Sequence, residues 1–211
     1  MGNQYVQYGC GLAAPEEWKN FDVSPTLRIQ KTPIIGQLLK NKLNTVFPPN
    51  VAYGDIIKGL PVPQNSVDGL YCSHTLEHLS LNELRKSLVN SYKILKVGGL
   101  FRCVVPDMEI LARQYLQKLD EGDSQACINF IAETLMGVEE RPRGLIAFFK
   151  SFYGNRHHLW MWDYHSLSYE LEKAGFKNIR RCKFNDSEDE MFKYVESKGR
   201  FNNAVAIQCE K

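Results

Sequence analysis

Two short apolar runs, Val67–Cys72 and Leu100–Val105, bracket one capped amphipathic helix, and this arrangement limits the fold more than any other stretch. A strand, a crossover helix and a second strand in that order are what a parallel sheet with covered faces requires. Ser80 and Glu83 fit a capping box, in which the hydroxyl satisfies an early amide and the carboxylate reaches back to the cap's own amide. Leu81, Leu84, Leu88, Tyr92 and Leu95 recur at three and four residue steps, giving one apolar stripe to lie on the sheet. Gly98-Gly99 is expected to stop the helix. Open sheets of this kind bind ligands beyond the carboxyl ends of their strands. Ser73, His74, Glu77, His78, Pro106 and Asp107 therefore fall where chemistry is expected.

The segments before this unit repeat the theme. Gln4–Tyr8 is a β-prone run ended by Gly9-Cys10-Gly11, and two glycines after a strand let the backbone turn sharply and let a ligand approach it. The same pattern also arises as plain strand punctuation. Leu12–Trp18 has room for about two helical turns before a second short strand, Lys19–Val23, closes at Ser24-Pro25. Asp22 then lies near the carboxyl end of the strand after a glycine turn, where nucleotide-binding sheets place an acidic group for ribose hydroxyls. The alternative is an Asp that starts a turn. Ile34, Ile35, Leu38 and Leu39 suggest a helical stripe after Pro33. Val51-Ala52-Tyr53 is a third short strand, leading into Gly54-Asp55-Ile56.

Beyond Asp107, a cap, Ile110, Leu111, Tyr115 and Leu119 continue a helical pattern, and Gln125–Leu135 offers a second helix. Residues 137–162 set Arg141, Arg143, Lys150, Arg156, His157 and His158 among six large aromatics. Such an insertion is either a lid over a site for an anionic or sugar-like group or a packed segment with a solvated face. Ser166 is read as the cap of a final helix carrying Leu167, Leu171 and Ala174. Phe176–Phe184 and Asn203–Cys209 then suggest an antiparallel hairpin that finishes the sheet.

At 211 residues with 44% hydrophobic side chains, the chain suits one substantial core, and a single domain over 1–211 is expected. Its net charge of +2, from 26 basic and 24 acidic residues without a basic block, does not favour nucleic acid as an obligatory partner. Six singly scattered cysteines form no metal knuckle or redox pair, which fits a reducing cytoplasm. The N-terminal residues lack the apolar core of a signal peptide, and no run approaches a membrane span, so no membrane association is expected.

Taken together, these residues resemble class I S-adenosylmethionine-dependent methyltransferases, in particular the small bacterial type that methylates quinones and other small molecules. Gln7-Tyr8-Gly9-Cys10-Gly11-Leu12-Ala13 is similar to the opening glycine motif of that family, with Gln7 at the acidic place and Ala13 at the third glycine. Leu60–Asp68, Ser73–Leu79, Leu95–Leu100 and Ala174–Phe176 resemble its later turns in order and spacing. The resemblance implies an α/β Rossmann-like fold, with a mostly parallel sheet, helices on both faces and a C-terminal antiparallel hairpin. It also implies S-adenosyl-L-methionine as cofactor, held by Gly9, Cys10, Gly11, Asp22, Asp55, Ile56, Ser73 and His74, with Asp22 on the ribose diol and Asp55 beside the adenine. Two features depart from the family: only about ten residues separate Gly11 from Asp22, close to the lower limit for a parallel crossover, and the usual N-terminal helix is missing.

Methyl transfer needs an acceptor placed in line with the sulfonium methyl and, for a hydroxyl or amine, a base. His78 and His74 are the first choices for that base, followed by His158 and Asp163, and each histidine has a purely structural alternative. The expected acceptor is a small molecule, anionic or glycan-like. Two rivals compete. One is a catalytically inactive binding domain on the same sheet. The other is a zinc peptidase, because His74-Thr75-Leu76-Glu77-His78 spells an inverzincin pattern. Ser73 and Ser80 make the segment a strand-to-helix loop rather than mid-helix, so no metal is expected from it.

Overall fold

The computed structural model describes residues 2–33, 45–140 and 157–211. The expected helical stripe at Ile34–Leu39 and most of the expected lid lie outside them. The strands are β1 (Tyr5–Tyr8), β2 (Lys19–Asp22), β3 (Val51–Tyr53), β4 (Val67–Ser73), β5 (Leu95–Pro106), β6 (Lys177–Arg181) and β7 (Ala204–Glu210). They form one sheet in the order β3-β2-β1-β4-β5-β7-β6. β1 to β5 pair in parallel, whereas β7 runs antiparallel between β5 and β6. The Rossmann-like architecture read from the sequence is the architecture observed, with the carboxyl ends of five neighbouring strands sharing one edge.

Five helices accompany the sheet among the described residues: α1 (Pro25–Lys31), α2 (Leu81–Ile94), α3 (Met108–Asp120), α4 (Ala126–Glu133) and α5 (Tyr164–Lys173). α2 starts as its sequence requires, since the Glu83 carboxylate accepts from the Ser80 amide at 2.9 Å and from the Ser80 hydroxyl at 2.7 Å. Those two bonds, the hydroxyl's first, hold the Glu83 carboxyl below its ordinary range. α2 ends four residues earlier than the glycine pair suggests. Leu95 is already extended, and Gly98-Gly99 lies inside β5, where Gly98 N donates to Lys211 O and Lys211 N to Gly99 O. A Cβ on Gly99 would meet backbone oxygens of Lys96 and Val67 at 2.9 Å, so close backbone packing, not helix termination, requires glycine there.

Two further starts differ from expectation. α1 begins at the Ser24-Pro25 pair read as a strand stop: the Ser24 hydroxyl accepts from Thr26 N, and Pro25 occupies the first turn, where its missing N–H is harmless. α5 is capped by Asp163, not Ser166. The Asp163 carboxylate accepts from Ser166 N at 2.7 Å, while the Ser166 hydroxyl accepts from Asp163 N at 3.2 Å.

Strand alternation sorts the core into two faces. Val6, Tyr8, Leu70, Cys72, Phe101, Cys103, Val205 and Ile207 point one way, against Leu84 and Leu88 of α2 and Leu167 and Leu171 of α5. Tyr5, Tyr71, Val104 and Ala206 point the other way, against Trp18, Phe192 and Val195. Leu27 of α1 packs on Val51, Cys10 and Phe47. No helix forms between β1 and β2. Instead Trp18, from that short crossover, meets the β6–β7 connection, donating from its indole to Met191 O at 3.1 Å and lying 5.5 Å from the Phe192 ring.

A buried ionic knot fastens this connection to the sheet. The Arg102 side chain is 1% exposed, and its guanidinium donates to Glu196 at 2.7 Å, Gln208 at 2.7 Å, Asp186 at 3.1 Å and Lys183 O at 3.2 Å. Removing one partner of such a knot leaves a buried charge alone. We expect Arg102→Met to lower the unfolding free energy by about 3–5 kcal/mol in urea titrations followed by circular dichroism. A loss under about 1 kcal/mol would place the pair among surface bridges instead.

Candidate functional site

The parallel edge gathers residues that the chain holds far apart. Beyond β1, Gly9 and Gly11 both adopt left-handed backbone, with φ of +64° and +55°. At Gly9 the reason is steric as well: an added Cβ would lie 2.1 Å from Thr75 Oγ1, in the loop after β4. At Gly11 nothing lies within 4 Å of such a Cβ, so the turn faces open space. Between them Cys10 is buried with its amide on Phe21 O, and burial, with the Asp22 charge nearby, pushes its thiol up to about 12. That thiol is a packing group rather than a nucleophile.

Asp22 closes β2 and holds the turn. Its Oδ2 accepts from Gly11 N at 2.9 Å and its Oδ1 from Ser24 N at 2.8 Å. Asp22 is also the ladder partner of Tyr53, and Gly54 N donates to Asp22 O at 3.1 Å, which brings Asp55 to the neighbouring position on the same edge. The Asp55 Oδ1 accepts from Ile57 N at 3.0 Å and its Oδ2 lies 3.5 Å from Lys58 Nζ. Ile56 is buried in the main core beneath this turn. Each carboxylate oxygen offers about two lone-pair positions, so both groups retain acceptor capacity for the hydroxyls or amino group of a nucleoside.

The missing helix between β1 and β2 is replaced by buried amides. Gln7 and Asn20 are ladder partners on one face of adjacent strands and bond to each other through their side chains. Gln7 Nε2 also donates to Ala13 O at 2.7 Å, and Asn20 Nδ2 to Pro15 O and Trp18 O, both at 2.9 Å. The loop carbonyls that a helix would have paired internally are thereby satisfied. Gln7, where the resemblance expects an acidic residue, thus has a structural reason: an acceptor-only carboxylate could not donate to these carbonyls.

At the end of β4, Ser73 is buried, its hydroxyl unpartnered among the described residues. His74 turns with φ of +50°, its Nε2 bonding Arg200 O at 2.9 Å and its Nδ1 lying 3.4 Å from Glu77 Oε1. Burial pushes this imidazole down, but the Glu77 carboxylate and the Arg200 carbonyl outweigh it and hold the group above its ordinary value. Residues Leu76–His78 make a single 3-10 turn, so His74 and His78 do not share one face of a long helix as a peptidase zinc motif requires. His78 Nδ1 bonds His157 O at 3.1 Å. His158 lies beside it, ring centroids 5.1 Å apart, and burial lowers its pKa despite the Glu77 charge. Asp163 is spent as the cap of α5.

The residues converge in two groups: Gly9, Cys10, Gly11, Asp22, Asp55 and Ile56 at one end of the edge, and Ser73, His74, Glu77, His78 and His158 at the other. The second grouping went beyond what spacing showed, because His158 reaches Glu77 through a distant segment whose Leu159 and Trp160 amides donate to Glu77 O.

Residues 8–103 match a family profile described as a methyltransferase domain. Among solved structures, an S-adenosylmethionine-dependent methyltransferase from Thermotoga maritima, described as a possible histamine N-methyltransferase, aligns over 100% of this chain and 83% of its own. Its identity is 18% and its TM-score 0.52. A second, from Archaeoglobus fulgidus, aligns over 99% and 86% at 18% identity and a TM-score of 0.47. A search of curated proteins gives no match. The methyltransferase-domain profile thus spans the end of β1 to most of β5, and the first of these structures shares the Rossmann-like fold of the whole sheet.

The two glycines separate cleanly in their consequences. Gly11→Ala incurs only the left-handed backbone cost, roughly 1–2 kcal/mol, whereas Gly9→Ala adds a collision with Thr75. We expect Gly9→Ala to have the lower melting temperature of the two. Equal melting temperatures would mean that the turn is not packed against the β4 loop.

Proposed function

We propose that this protein transfers the methyl group of S-adenosylmethionine to a small-molecule acceptor with anionic or glycan-like character. The observation that carries the reading is the junction of three chain-distant turns at one sheet edge: Gly11 N on Asp22 Oδ2, and Gly54 N on Asp22 O. The open space over Gly11 and the spare acceptor positions of Asp22 and Asp55 suit a nucleoside with a flexible aminoacyl arm. When bound, S-adenosylmethionine supplies an electrophilic methyl on a sulfonium. Asp22 orients the ribose hydroxyls, Asp55 the base, and the Gly9–Gly11 turn allows close backbone approach. The chain's own contribution to rate is positioning of the acceptor, with the histidine group after β4 taking the proton from a hydroxyl or amine. The anionic or glycan-like lean rests on the basic and aromatic composition of residues 141–162.

The test is calorimetric titration with S-adenosylmethionine and S-adenosylhomocysteine. Both are expected to bind, and Asp22→Ala and Asp55→Ala are each expected to weaken binding about tenfold or more, as loss of a charged hydrogen-bond acceptor entails. No binding at millimolar ligand would favour the rival reading, an inactive binding domain on the same sheet. Unchanged affinity in both variants would overturn the residue assignment.

A further inference from the structure

Glu77 is an anomaly in this molecule. It is 1% exposed, and neither carboxylate oxygen has a hydrogen-bond partner among the described residues. Among the described residues its one ion-pair partner is His74, with Nδ1 3.4 Å from Oε1. A carboxylate removed from water without good partners costs several kcal/mol. His158 presents a second anomaly: it is 8% exposed, and its Nδ1 is buried and unpartnered among the described residues.

These two groups and His78 face one another. Glu77, His78 and His158 each offer a ligand atom, and the three atoms lie within 4.8 Å of one another. His78 is already set for the task. A carbonyl only accepts, so the bond to His157 O at 3.1 Å places the proton on Nδ1 and leaves Nε2 with its lone pair. A carbonyl holding the far nitrogen of a ligating imidazole is the usual outer support of a metal site. The segment that carries His158 is pinned to the same place, with Leu159 N and Trp160 N donating to Glu77 O at 2.8 and 3.2 Å and His158 N to Leu135 O at 3.2 Å.

We propose that Glu77, His78 and His158 bind one divalent transition-metal ion at the carboxyl edge of β4. Two imidazoles and one carboxylate suit zinc or manganese better than magnesium or calcium, which prefer all-oxygen sites. Ligand atoms around a four-coordinate zinc stand about 3.4 Å apart, so modest side-chain rotation completes the shell. Three protein ligands leave a position open to water or to an acceptor oxygen. The ion commits His78 and His158 as ligands. The site differs from the peptidase pattern that His74–His78 spells, because its third ligand comes from a distant segment and His74 turns to Arg200. Metal binding here does not depend on methyl transfer, and its failure would leave cofactor binding untouched.

The test is titration of the chelator-stripped full chain with zinc chloride, manganese chloride and magnesium chloride, followed by calorimetry. Cobalt substitution reports whether nitrogen and oxygen or cysteine sulfur ligate. We expect about one zinc or manganese ion per chain, little magnesium, and a cobalt spectrum without thiolate charge-transfer bands. Glu77→Gln, His158→Gln and His78→Gln should each weaken binding about tenfold or more. His78 is only half-buried, so His78→Gln keeps the test meaningful if the buried variants unfold. Absence of binding, binding through sulfur alone, or full affinity in folded His78→Gln would each overturn the proposal.

Discussion

A parallel crossover made in about ten residues without a helix is the constraint around which this fold is arranged. It leaves loop carbonyls to be satisfied and a sheet face to be covered. The buried Gln7–Asn20 amide pair meets the first need, because amides both donate and accept. Trp18 meets part of the second, and the β6–β7 connection supplies the rest through Phe192 and Val195. That connection in turn is held by Arg102, which rises from the middle of β5 into Glu196, Asp186 and Gln208. The N-terminal crossover and the C-terminal connection therefore depend on each other, although more than 160 residues separate Trp18 from Met191.

The functional edge inherits this arrangement. Asp22 grips the Gly11 amide only because the short crossover returns the chain directly from the turn to β2. Gly9 sits against Thr75, so the β1 turn and the β4 loop are one packed unit. The Gly9–Gly11 turn and the histidine loop are thus linked through that contact, since β1 and β4 are neighbours roughly 5 Å apart.

Local signals carried much of this into the sequence. The β4–α2–β5 unit is legible because capping and a helical apolar stripe are written within a short stretch, and the glycine turn and Asp22 because they follow short β-prone runs. Long-range pairing overrides local preference elsewhere. Gly98-Gly99 looked like a helix stop, but the end of β7 draws that stretch into the sheet through Lys211. Ser166 and Asp163 are both good caps, and only the geometry of the chain entering α5 selects Asp163. The charged connection 185–199 gave no hint that Glu196 would be buried against Arg102, nor did His158 reveal its approach to Glu77, since neither pairing has a periodicity. The segment 137–162, read as either a lid or a packed segment, falls largely outside the described residues.

The central claim is that the Gly9–Gly11 turn, Asp22 and Asp55 form one nucleoside-binding edge. A crystal structure grown with S-adenosylhomocysteine tests it most directly. The account predicts ligand density over Gly11, with the ribose hydroxyls at Asp22 and the base beside Asp55. Ligand density elsewhere on the molecule, or both carboxylates facing solvent with no ligand between them, would contradict it.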